Sequence, residues 1–345
     1  MKPKILVTGG TGYIGSHTLI EFLEKTDFEV FSIDNCSRST PQTIDRVEAI
    51  TGRKVTNFLI DLCDKAALFE VLETLGQISG VIHFAAYKAV GESVQEPLLY
   101  YRNNLESLEN ILEACEHFKI HNLIFSSSCS VYGNVATLPV NEQTSFGQAF
   151  CPYAHTKQIG EEMLAFFAQR YPELQAVILR YFNPVGAHIS GLNGELSPDK
   201  PNNLVPIITQ VAARKMASME VFGTDYDTRD GSCVRDYVHV SDIAAAHLLA
   251  LKYLLEGKNT TQCSYFNLGK GDGVTVLEMI EAFEHITGKP LNYTLGKRRP
   301  GDIPAIYSDS SKAEKELGWS CRYGVREMLE SAWKWEQTLN LKTVY

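Results

Sequence analysis

The sequence lacks the features that mark metal-binding, membrane-spanning and secreted proteins. Its eight cysteines include no Cys-x-x-Cys pair, which argues against a zinc ribbon or a thioredoxin-type redox site. The most apolar stretch, residues 243–255, contains a histidine and a lysine and is too short to cross a bilayer. The segment MKPKILVTGG has no apolar core of signal-peptide length. We therefore expect a cytoplasmic protein whose cysteines are reduced.

Positive charge is also scarce. Lysine and arginine number 32 against 41 aspartates and glutamates, a formal net charge of −9. This argues against a generally basic surface for nucleic acid but leaves a local basic pocket open. The chain is 44% hydrophobic and 21% charged, as folded globular proteins are, and its 345 residues predict about two domains.

The histidines give no convincing metal site. His117 and His121 are four residues apart, and Glu116 is a conceivable third ligand. We interpret the pair instead as a helix end that turns into the next strand, and we predict no metal.

Short apolar runs alternate with amphipathic stretches in the first half of the chain. This β-α-β alternation predicts an α/β fold with a doubly wound parallel sheet. After about residue 181 the loops lengthen and the elements shorten, which predicts a domain of residues 1–180 and a smaller α/β domain of residues 181–345. The predicted strands are 4–7, 29–33, 55–59, 80–84, 123–126 and 176–179, and the predicted helices are 13–25, 64–75, 97–118 and 153–170.

Three glycines follow the first predicted strand at a spacing of three residues, in TGGTGYIG. Gly9 permits a tight turn, Gly12 lets the backbone approach a pyrophosphate, and Gly15 lets the next helix pack against the sheet. The N–H groups at the start of that helix can bind phosphate. No Lys-Ser or Lys-Thr follows, so the loop is not a Walker loop. The pattern predicts a Rossmann-type dinucleotide-binding domain.

An acidic residue at the end of the second predicted strand indicates which dinucleotide binds. Asp34 lies 19 residues after Gly15, where a carboxylate can bond the adenosine ribose 2′-hydroxyl and would repel a 2′-phosphate. NAD is therefore favoured, although Arg38 nearby leaves NADP open. Asp61 and Leu62 follow the third strand in a position suited to adenine, and Asp61 could equally be a helix N-cap.

A Tyr-x-x-x-Lys pair carries the predicted chemistry. Tyr153 and Lys157 share one face of a predicted helix. A phenol titrates at a pH of about 10, and a neighbouring ammonium is expected to lower that pKa toward neutrality. The serines at 126–128 end the preceding strand, at the sheet edge where ligands bind in such folds. A serine hydroxyl there can bond a reacting sugar hydroxyl.

Taken together, these motifs resemble the extended short-chain dehydrogenase/reductase family, in its group of UDP-sugar 4-epimerases. The resemblance extends from about residue 4 to about residue 320. It implies an isomerase that interconverts UDP-galactose and UDP-glucose with tightly bound NAD. It also implies that segments near 236–268 return to the NAD-binding domain and that the second domain binds the UDP-sugar. The segments that carry it include TGGTGYIGSHT, FSSS, LRYFNPVGAH, PNNLVP, VFGTDYDTRDG and RRPGDIPA.

The resemblance also implies roles for individual residues. Catalysis is expected from Ser128, Tyr153 and Lys157. The residues expected around NAD are Gly9, Gly12, Tyr13, Ile14, Asp34, Asn35, Ser37, Asp61, Leu62, Phe84, Ala85, Ala86, Lys88, Asn103, Ser126, Tyr153, Lys157 and Tyr181. The residues expected around the UDP-sugar are Lys88, Ser128, Tyr153, Asn183, Asn203, Leu204, Phe222, Arg235, Arg299, Asp302 and Ile306.

In the implied mechanism, Tyr153 takes the proton of the sugar 4-hydroxyl through Ser128 while the C4 hydride passes to NAD. The 4-keto sugar turns, and hydride and proton return on the opposite face. Two arginines suit a pyrophosphate and would hold the nucleotide meanwhile. Milder interpretations stay open, because Arg235 could pair with Asp236 and Phe222 could lie in the core.

Two positions depart from the common bacterial pattern. Ala86 replaces a frequent glycine, and Ile306 stands where some members carry a large aromatic residue. A smaller residue there is associated with N-acetylated sugars, so we expect partial acceptance of UDP-N-acetylglucosamine. The predicted helices 97–118 and 153–170 resemble those that pair subunits in the family. We therefore expect a homodimer, although their apolar stripes could instead serve only the sheet.

Three alternative functions remain open. A 4,6-dehydratase needs an acid/base pair, usually Asp-Glu directly after the catalytic serine or threonine, where this chain has Cys129 and Ser130. A UDP-glucuronate decarboxylase is the second. The third is a non-catalytic NAD-binding protein, although such proteins often lack the tyrosine or lysine that are both present here.

Overall fold

The computed structural model describes residues 2–196, 201–299 and 301–342. The strands are β1 (Lys4–Thr8), β2 (Glu29–Ile33), β3 (Thr56–Phe58), β4 (Gly80–His83), β5 (Asn122–Ser128), β6 (Gln175–Tyr181), β7 (Asn183–Val185), β8 (Met219–Phe222), β9 (Val234–Arg235), β10 (Tyr237–His239), β11 (Cys263–Leu268), β12 (Val274–Thr275), β13 (Tyr293–Gly296) and β14 (Ala305–Ile306). The helices are α1 (Tyr13–Lys25), α2 (Gln42–Thr51), α3 (Lys65–Leu75), α4 (Val90–Gln95), α5 (Pro97–Tyr101), α6 (Ser107–His117), α7 (Pro152–Arg170), α8 (Leu204–Ala212), α9 (Val240–Leu255), α10 (Val276–Thr287), α11 (Ser311–Leu317) and α12 (Val325–Lys342).

Seven parallel strands form the central sheet, in the order β11-β6-β5-β4-β1-β2-β3. The chain runs outward from β1 to β2 and β3 and then crosses back to β4 on the other side of β1. Such a reversal of strand order leaves a crevice at the carboxyl ends of the strands, where ligands bind. The predicted doubly wound parallel sheet is confirmed.

The central strands are runs of buried apolar residues because helices cover both faces of the sheet. In β1, Ile5 and Val7 pack into a cluster with Leu19 of α1. Leu6 points to the opposite face and packs with Leu68 of α3. This alternation fixes the face of the sheet to which each side chain points. The parallel register places the carboxyl ends of neighbouring strands at one edge, where the following residues meet.

The later part of the chain contributes to two regions. Strand β11 pairs with β6 in the central sheet, and α9 packs against α1. A separate apolar cluster lies among α8, α10 and α12 and includes Ile208, Phe283 and Leu329, all fully buried. Three small sheets accompany it, β7 with β10, β9 with β12 and β14, and β8 with β13. The domain boundary at residue 180 stays a prediction.

Some local predictions are changed by the structure. The predicted helix 97–118 contains a π-helical turn at Arg102–Glu106, and within it Asn104 bonds the Tyr87 backbone and the Thr156 hydroxyl. Helix α2 was not predicted, because only two of its residues are buried and its apolar stripe is short. None of the helices in the described ranges is long and apolar enough to cross a membrane.

Candidate active site

The turn after β1 leaves no room for side chains at two of its glycines. Gly9 has φ +73°, and a Cβ there would lie 2.8 Å from the backbone nitrogen of Ala85. A Cβ on Gly15 would overlap the carbonyl oxygen of Gly9. Helix α1 begins at Tyr13, and its first N–H groups lack an intrahelical partner, as at the start of every helix. Its N-cap Gly12 has no side chain that could accept from them. This cradle fits the pyrophosphate of NAD.

Asp34 directly follows β2 and is held by the glycine turn. The backbone N–H of Thr11 donates to its Oδ2 at 3.0 Å, and that of Cys36 donates to its Oδ1 at 2.8 Å. The carboxylate is therefore fixed beside the phosphate cradle. Arg38, the residue that left NADP open, forms an ion pair with Glu92 at 2.6 Å. A 2′-phosphate would have to compete with that carboxylate, which favours NAD.

Asp61 lies after β3 and contacts Asn35. The Asn35 amide donates to Asp61 Oδ2 at 3.0 Å, and the N–H of Cys63 donates to Asp61 Oδ1 at 2.8 Å. The N-cap of α3 is Asp64, which accepts from the N–H of Ala67 at 3.1 Å. The alternative role of Asp61 as the helix N-cap is therefore wrong, and its carboxylate stays at the edge of the sheet.

The predicted catalytic side chains meet where β5 ends and α7 begins. The side chains of Ser128 and Tyr153 are neighbours, close enough for the serine hydroxyl to lower the pKa of the phenol by hydrogen bonding. One turn along α7, the Lys157 ammonium donates to the backbone carbonyl of Ser126 at 2.7 Å. Lys157 is buried. Strand and helix thus bring a phenol, a hydroxyl and an ammonium together at the carboxyl edge of the sheet.

The expected effect of Lys157 on Tyr153 is not seen. Burial raises the pKa of the Tyr153 phenol well above its usual range, and the hydrogen bond with Ser128 opposes this only in part. Burial lowers the pKa of Lys157 to about 8, and Glu161 opposes that change. The physical reason is that the ammonium is directed at a backbone carbonyl. The protein groups by themselves keep Tyr153 protonated.

His247 on α9 contacts three of the predicted residues and was missed. Its Nε2 lies 3.2 Å from the Ser126 hydroxyl. Its ring lies 4.5 Å from that of Phe84 and 6.1 Å from that of Tyr181. Burial lowers its pKa to about 4, so the imidazole is neutral near pH 7. A histidine within the apolar stretch 243–255 was the sequence signal that could have found it.

Glu195 connects the predicted cofactor residues with the predicted nucleotide residues and was also missed. Its Oε1 accepts from Lys88 Nζ at 2.9 Å and from Asn203 Nδ2 at 2.8 Å. It is close enough to Tyr13 that its charge, together with burial, raises the pKa of that phenol. It lies in an irregular loop with no periodic pattern, so nothing in the sequence marked it.

Arg235 and Arg299 converge on Asp302. Arg299 lies 2.8 Å from Asp302 Oδ1 and Arg235 lies 3.6 Å from the same oxygen. The Arg299 guanidinium also lies 5.6 Å from the ring centre of Phe222, which is 38% exposed. Phe222 is therefore not a core residue, and Arg235 pairs with Asp302 rather than with Asp236. Two cations beside an exposed ring suit an anionic nucleotide.

Cys129 lies between this arginine cluster and the catalytic residues. Burial raises the pKa of its thiol to about 12, and the nearby charge of Arg235 opposes the increase. Cys129 in turn acts on the pKa of Tyr153. Cys129 therefore lies near both Arg235 and the phenol of Tyr153.

The other predicted residues lie on the loops and helix ends around these groups. The Ser37 N–H donates to Asn35 Oδ1 at 3.0 Å, and the Asn103 amide donates to Asn104. The backbone of Asn183 bonds that of Asp236. Five more occupy α1 (Ile14), the turn after β3 (Leu62), the turn after β4 (Ala85 and Ala86) and the start of α8 (Leu204).

Ile306 is buried, whereas a residue that lines an open pocket would be partly exposed to solvent. It lies in β14, in register with Arg235 of β9. It is 3% exposed and packs into the apolar cluster on one face of the central sheet. Its backbone is therefore next to the arginine cluster, and its effect on a sugar stays a prediction.

Comparisons with known proteins extend over nearly the whole chain. Residues 6–332 match the protein family described as GDP-mannose 4,6 dehydratase. The chain is 45% identical to the UDP-glucose 4-epimerase of Bacillus subtilis over 334 residues, which covers 97% of each protein. It is similar to the structure of the Stenotrophomonas maltophila UDP-glucose-4-epimerase with bound NAD and formylated UDP-arabinopyranose, with TM-score 0.94, 41% identity and 99% coverage of both chains. It is also similar to the Bifidobacterium longum UDP-glucose 4-epimerase in complex with NAD+ and UDP, with TM-score 0.92, 43% identity and coverage of 97% and 98%.

Proposed function

The chain belongs to the UDP-glucose 4-epimerase family of NAD-dependent isomerases, and on that premise we propose that it interconverts UDP-galactose and UDP-glucose. The observation that carries the proposal is the convergence of Ser128, Tyr153 and the buried Lys157 where β5 ends and α7 begins. A phenol, a relay hydroxyl and an ammonium at one sheet edge are what removal of a proton from a sugar hydroxyl requires.

Proton transfer is the task of Tyr153 and Ser128. Tyr153 takes the proton of the sugar 4-hydroxyl through the neighbouring Ser128 hydroxyl, and returns it at the end of the reaction. Lys157 supports the phenolate by its positive charge. Bound NAD supplies the hydride acceptor for C4 and the hydride donor for the return. Because proton and hydride both return, product and substrate differ only in configuration at C4.

The glycine cradle and Asp34 are suited to hold the cofactor for the whole cycle. The cradle would hold the pyrophosphate through backbone N–H groups, and Asp34 is fixed where a ribose 2′-hydroxyl would bind. Arg235 and Arg299 hold the diphosphate of the UDP-sugar by charge-assisted hydrogen bonds. The nucleotide stays in place while the oxidised sugar turns and presents its other face.

Elimination of water, the chemistry of a 4,6-dehydratase, is not supported by the residues after Ser128. Elimination needs a carboxylic acid and a carboxylate near C5 and C6 of the sugar. At the two chain positions that usually supply them, this protein has Cys129 and Ser130. Burial raises the pKa of the Cys129 thiol to about 12, so it stays protonated. The Ser130 hydroxyl is buried without a hydrogen-bond partner in the described part of the chain. Neither side chain can do the work of a carboxylate.

The proposal extends to UDP-sugars that carry an N-acetyl group. Ile306 lacks the ring that would narrow the sugar pocket, and it lies in register with Arg235. We propose that UDP-N-acetylglucosamine and UDP-N-acetylgalactosamine are converted as well, more slowly than the unsubstituted sugars. The support is the size of this residue.

The proposal also includes the oligomeric state of the protein, which we propose is a homodimer. Leu98 of α5 is 67% exposed and Phe166 of α7 is 71% exposed, and Val94 of α4 is 60% exposed nearby. Helices α4 and α5 both pack against α7, so the three side chains project from adjoining helices. We propose that a second copy of the chain covers them. Light scattering of the wild type and of Leu98→Glu/Phe166→Glu tests this, and an unchanged mass would contradict it.

Proton NMR of UDP-galactose incubated with pure protein and no added nucleotide tests the proposed activity. UDP-glucose should appear until equilibrium is reached. A repeat with added NAD separates loss of the cofactor during purification from absence of the activity. If the spectrum still does not change, the epimerase proposal is wrong.

A further inference from the structure

A buried ion pair lies beneath the proposed catalytic residues and has no part in the steps above. The side chains of Glu161 on α7 and Arg180 on β6 are 1% and 6% exposed. Arg180 binds both carboxylate oxygens, with Nη2 at 2.6 Å from Oε2 and Nε at 3.0 Å from Oε1. A buried pair of this kind is often no more stabilising than apolar residues of the same size. Stability alone therefore does not explain it.

Glu161 links the strand and the helix that carry the proposed catalytic groups. It lies one turn after Lys157 on α7, and its Oε1 accepts a hydrogen bond from the Ser127 hydroxyl of β5. Ser127 lies between Ser126, whose carbonyl accepts from Lys157, and Ser128, the proposed relay. One carboxylate thus ties β5 to α7 at the level of both contacts.

The surroundings of Arg180 keep its charge in place. Its Nη1 donates to the Tyr132 hydroxyl at 3.1 Å, and that hydroxyl donates to Asn267 at 2.6 Å. The rings of Tyr132, Phe146 and Tyr265 lie 5.0–5.3 Å from the guanidinium carbon. Bonds to Glu161 raise the pKa of Arg180 in spite of its burial. The carboxylate beneath Lys157 is therefore held in one position by a fixed cation.

Few charges face Lys157 from the elements around it. From β4 comes His83, whose pKa burial lowers to about 3, so it is neutral. From β5 comes the Phe125 ring, 5.0 Å from the ammonium. On α7 itself lies Tyr153, which is protonated because burial raises its pKa. Among these groups, Glu161 supplies the negative charge that opposes desolvation of the ammonium.

We propose that Glu161 is a positioning residue for the epimerase reaction: held by Arg180, its carboxylate fixes β5 against α7 through Ser127 and keeps Lys157 charged beside Tyr153. The inference rests on the proposed function, because it assigns Lys157 a part in catalysis. Its physical content, a protonated Lys157 maintained by Glu161, can be measured without turnover.

The test compares Glu161→Gln with the wild type, both as holoenzyme. Glutamine keeps an oxygen for Ser127 and removes the charge. In NMR of protein with isotope-labelled lysine, the Lys157 signal should titrate at a pH lower by about one unit. The alkaline limb of kcat for UDP-galactose should move in the same direction. Glu162→Gln, which removes an exposed charge one residue along, should change neither.

Two further variants serve as controls. One keeps the test valid if Glu161→Gln fails to fold, and the other separates the effect of charge on Lys157 from the positioning of β5 against α7. Glu161→Gln/Arg180→Gln removes both charges and leaves no unpaired buried ion. The Lys157 titration should then shift less than in Glu161→Gln, because loss of the Arg180 cation opposes the loss of the carboxylate. Ser127→Ala keeps the ion pair, so it should lower kcat about tenfold without moving the Lys157 titration. A wild-type titration of Lys157 in folded Glu161→Gln overturns the inference, as does an unchanged kcat in Ser127→Ala. If the titrations are as expected but the wild-type protein shows no turnover, the proposed function is contradicted and the inference about Glu161 is not.

Discussion

The ammonium of Lys157 donates a hydrogen bond to the backbone carbonyl of Ser126, 2.7 Å away. The lysine is thereby tied to the strand that ends in Ser128, while the phenol of Tyr153 is left with a raised pKa. We expect the charge of bound NAD+ to add to that of Lys157 in favouring the phenolate, because a cation placed beside a phenol lowers its pKa. We expect the phenolate to form in the loaded enzyme rather than in the free chain.

Replacing Tyr153 by phenylalanine should abolish proton transfer while leaving the fold intact. Phenylalanine keeps the ring and removes only the hydroxyl that lies beside Ser128. Loss of a general base typically costs 10²–10⁴-fold in rate, so kcat for UDP-galactose should fall by about 10³-fold. Content of bound NAD and the melting temperature serve as controls. Activity within tenfold of wild type would show that another group is the base.

Removal of Glu195 should weaken binding of the UDP-sugar more than it slows the chemistry. Glu195→Ala deletes the bonds to Lys88 and Asn203. Without these bonds Lys88 and Asn203 lose their fixed positions and must be ordered when the substrate binds. At about 1 kcal/mol for each lost bond, KM should rise roughly tenfold or more, with kcat within a factor of about two. Steady-state kinetics with UDP-galactose measures both. Glu281→Ala, an exposed site on α10, is the matched control. A fall in kcat at constant KM would contradict the role.

Substitution of Ile306 by tyrosine should remove conversion of UDP-N-acetylgalactosamine before that of UDP-galactose. Ile306 is 3% exposed, so the larger ring must also be accommodated, at about 1–3 kcal/mol of stability. Rates with both sugars and a denaturation curve are measured on the same preparation, with Ile306→Leu as the size-matched control. An unchanged ratio of the two rates would show that Ile306 does not select the sugar.

Acid should destabilise the protein through its buried neutral histidines. Burial lowers the pKa of His83 to about 3, so between about pH 6.5 and 3 the unfolded chain binds a proton that the folded chain does not. The free energy of unfolding therefore falls as pH falls, by up to about 1.4 kcal/mol per pH unit for one such group. His83→Gln can keep the bond to the Thr8 hydroxyl without titrating. Urea unfolding between about pH 7 and 5 should give a shallower slope for the variant, and an equal slope would contradict this origin.

Local patterns were sufficient for most of the fold. Helix Tyr13–Lys25 and strand Glu29–Ile33 have their predicted bounds, because regular periodicity and a glycine turn determine both. The Tyr-x-x-x-Lys spacing placed Tyr153 and Lys157 on one helix face for the same reason. The doubly wound, parallel character of the sheet followed from the alternation of elements.

Contacts between distant residues could not be predicted in this way. Lys88 meets Glu195 across 107 residues, and His247 reaches Ser126 across 121. The pKa of Tyr153 also depended on burial and on the direction of the Lys157 ammonium, neither of which a spacing of four residues specifies. Such features follow from packing between elements.

Conversion of UDP-galactose deuterated at C4 tests the central claim most directly. If the hydrogen leaves C4 as a hydride and returns from the same cofactor, the UDP-glucose formed in ordinary water keeps its deuterium at C4. Mass spectrometry of the product measures this, with unlabelled substrate in heavy water as the reciprocal control, where no deuterium should enter. Product that has exchanged its C4 hydrogen with solvent would contradict hydride transfer through bound NAD.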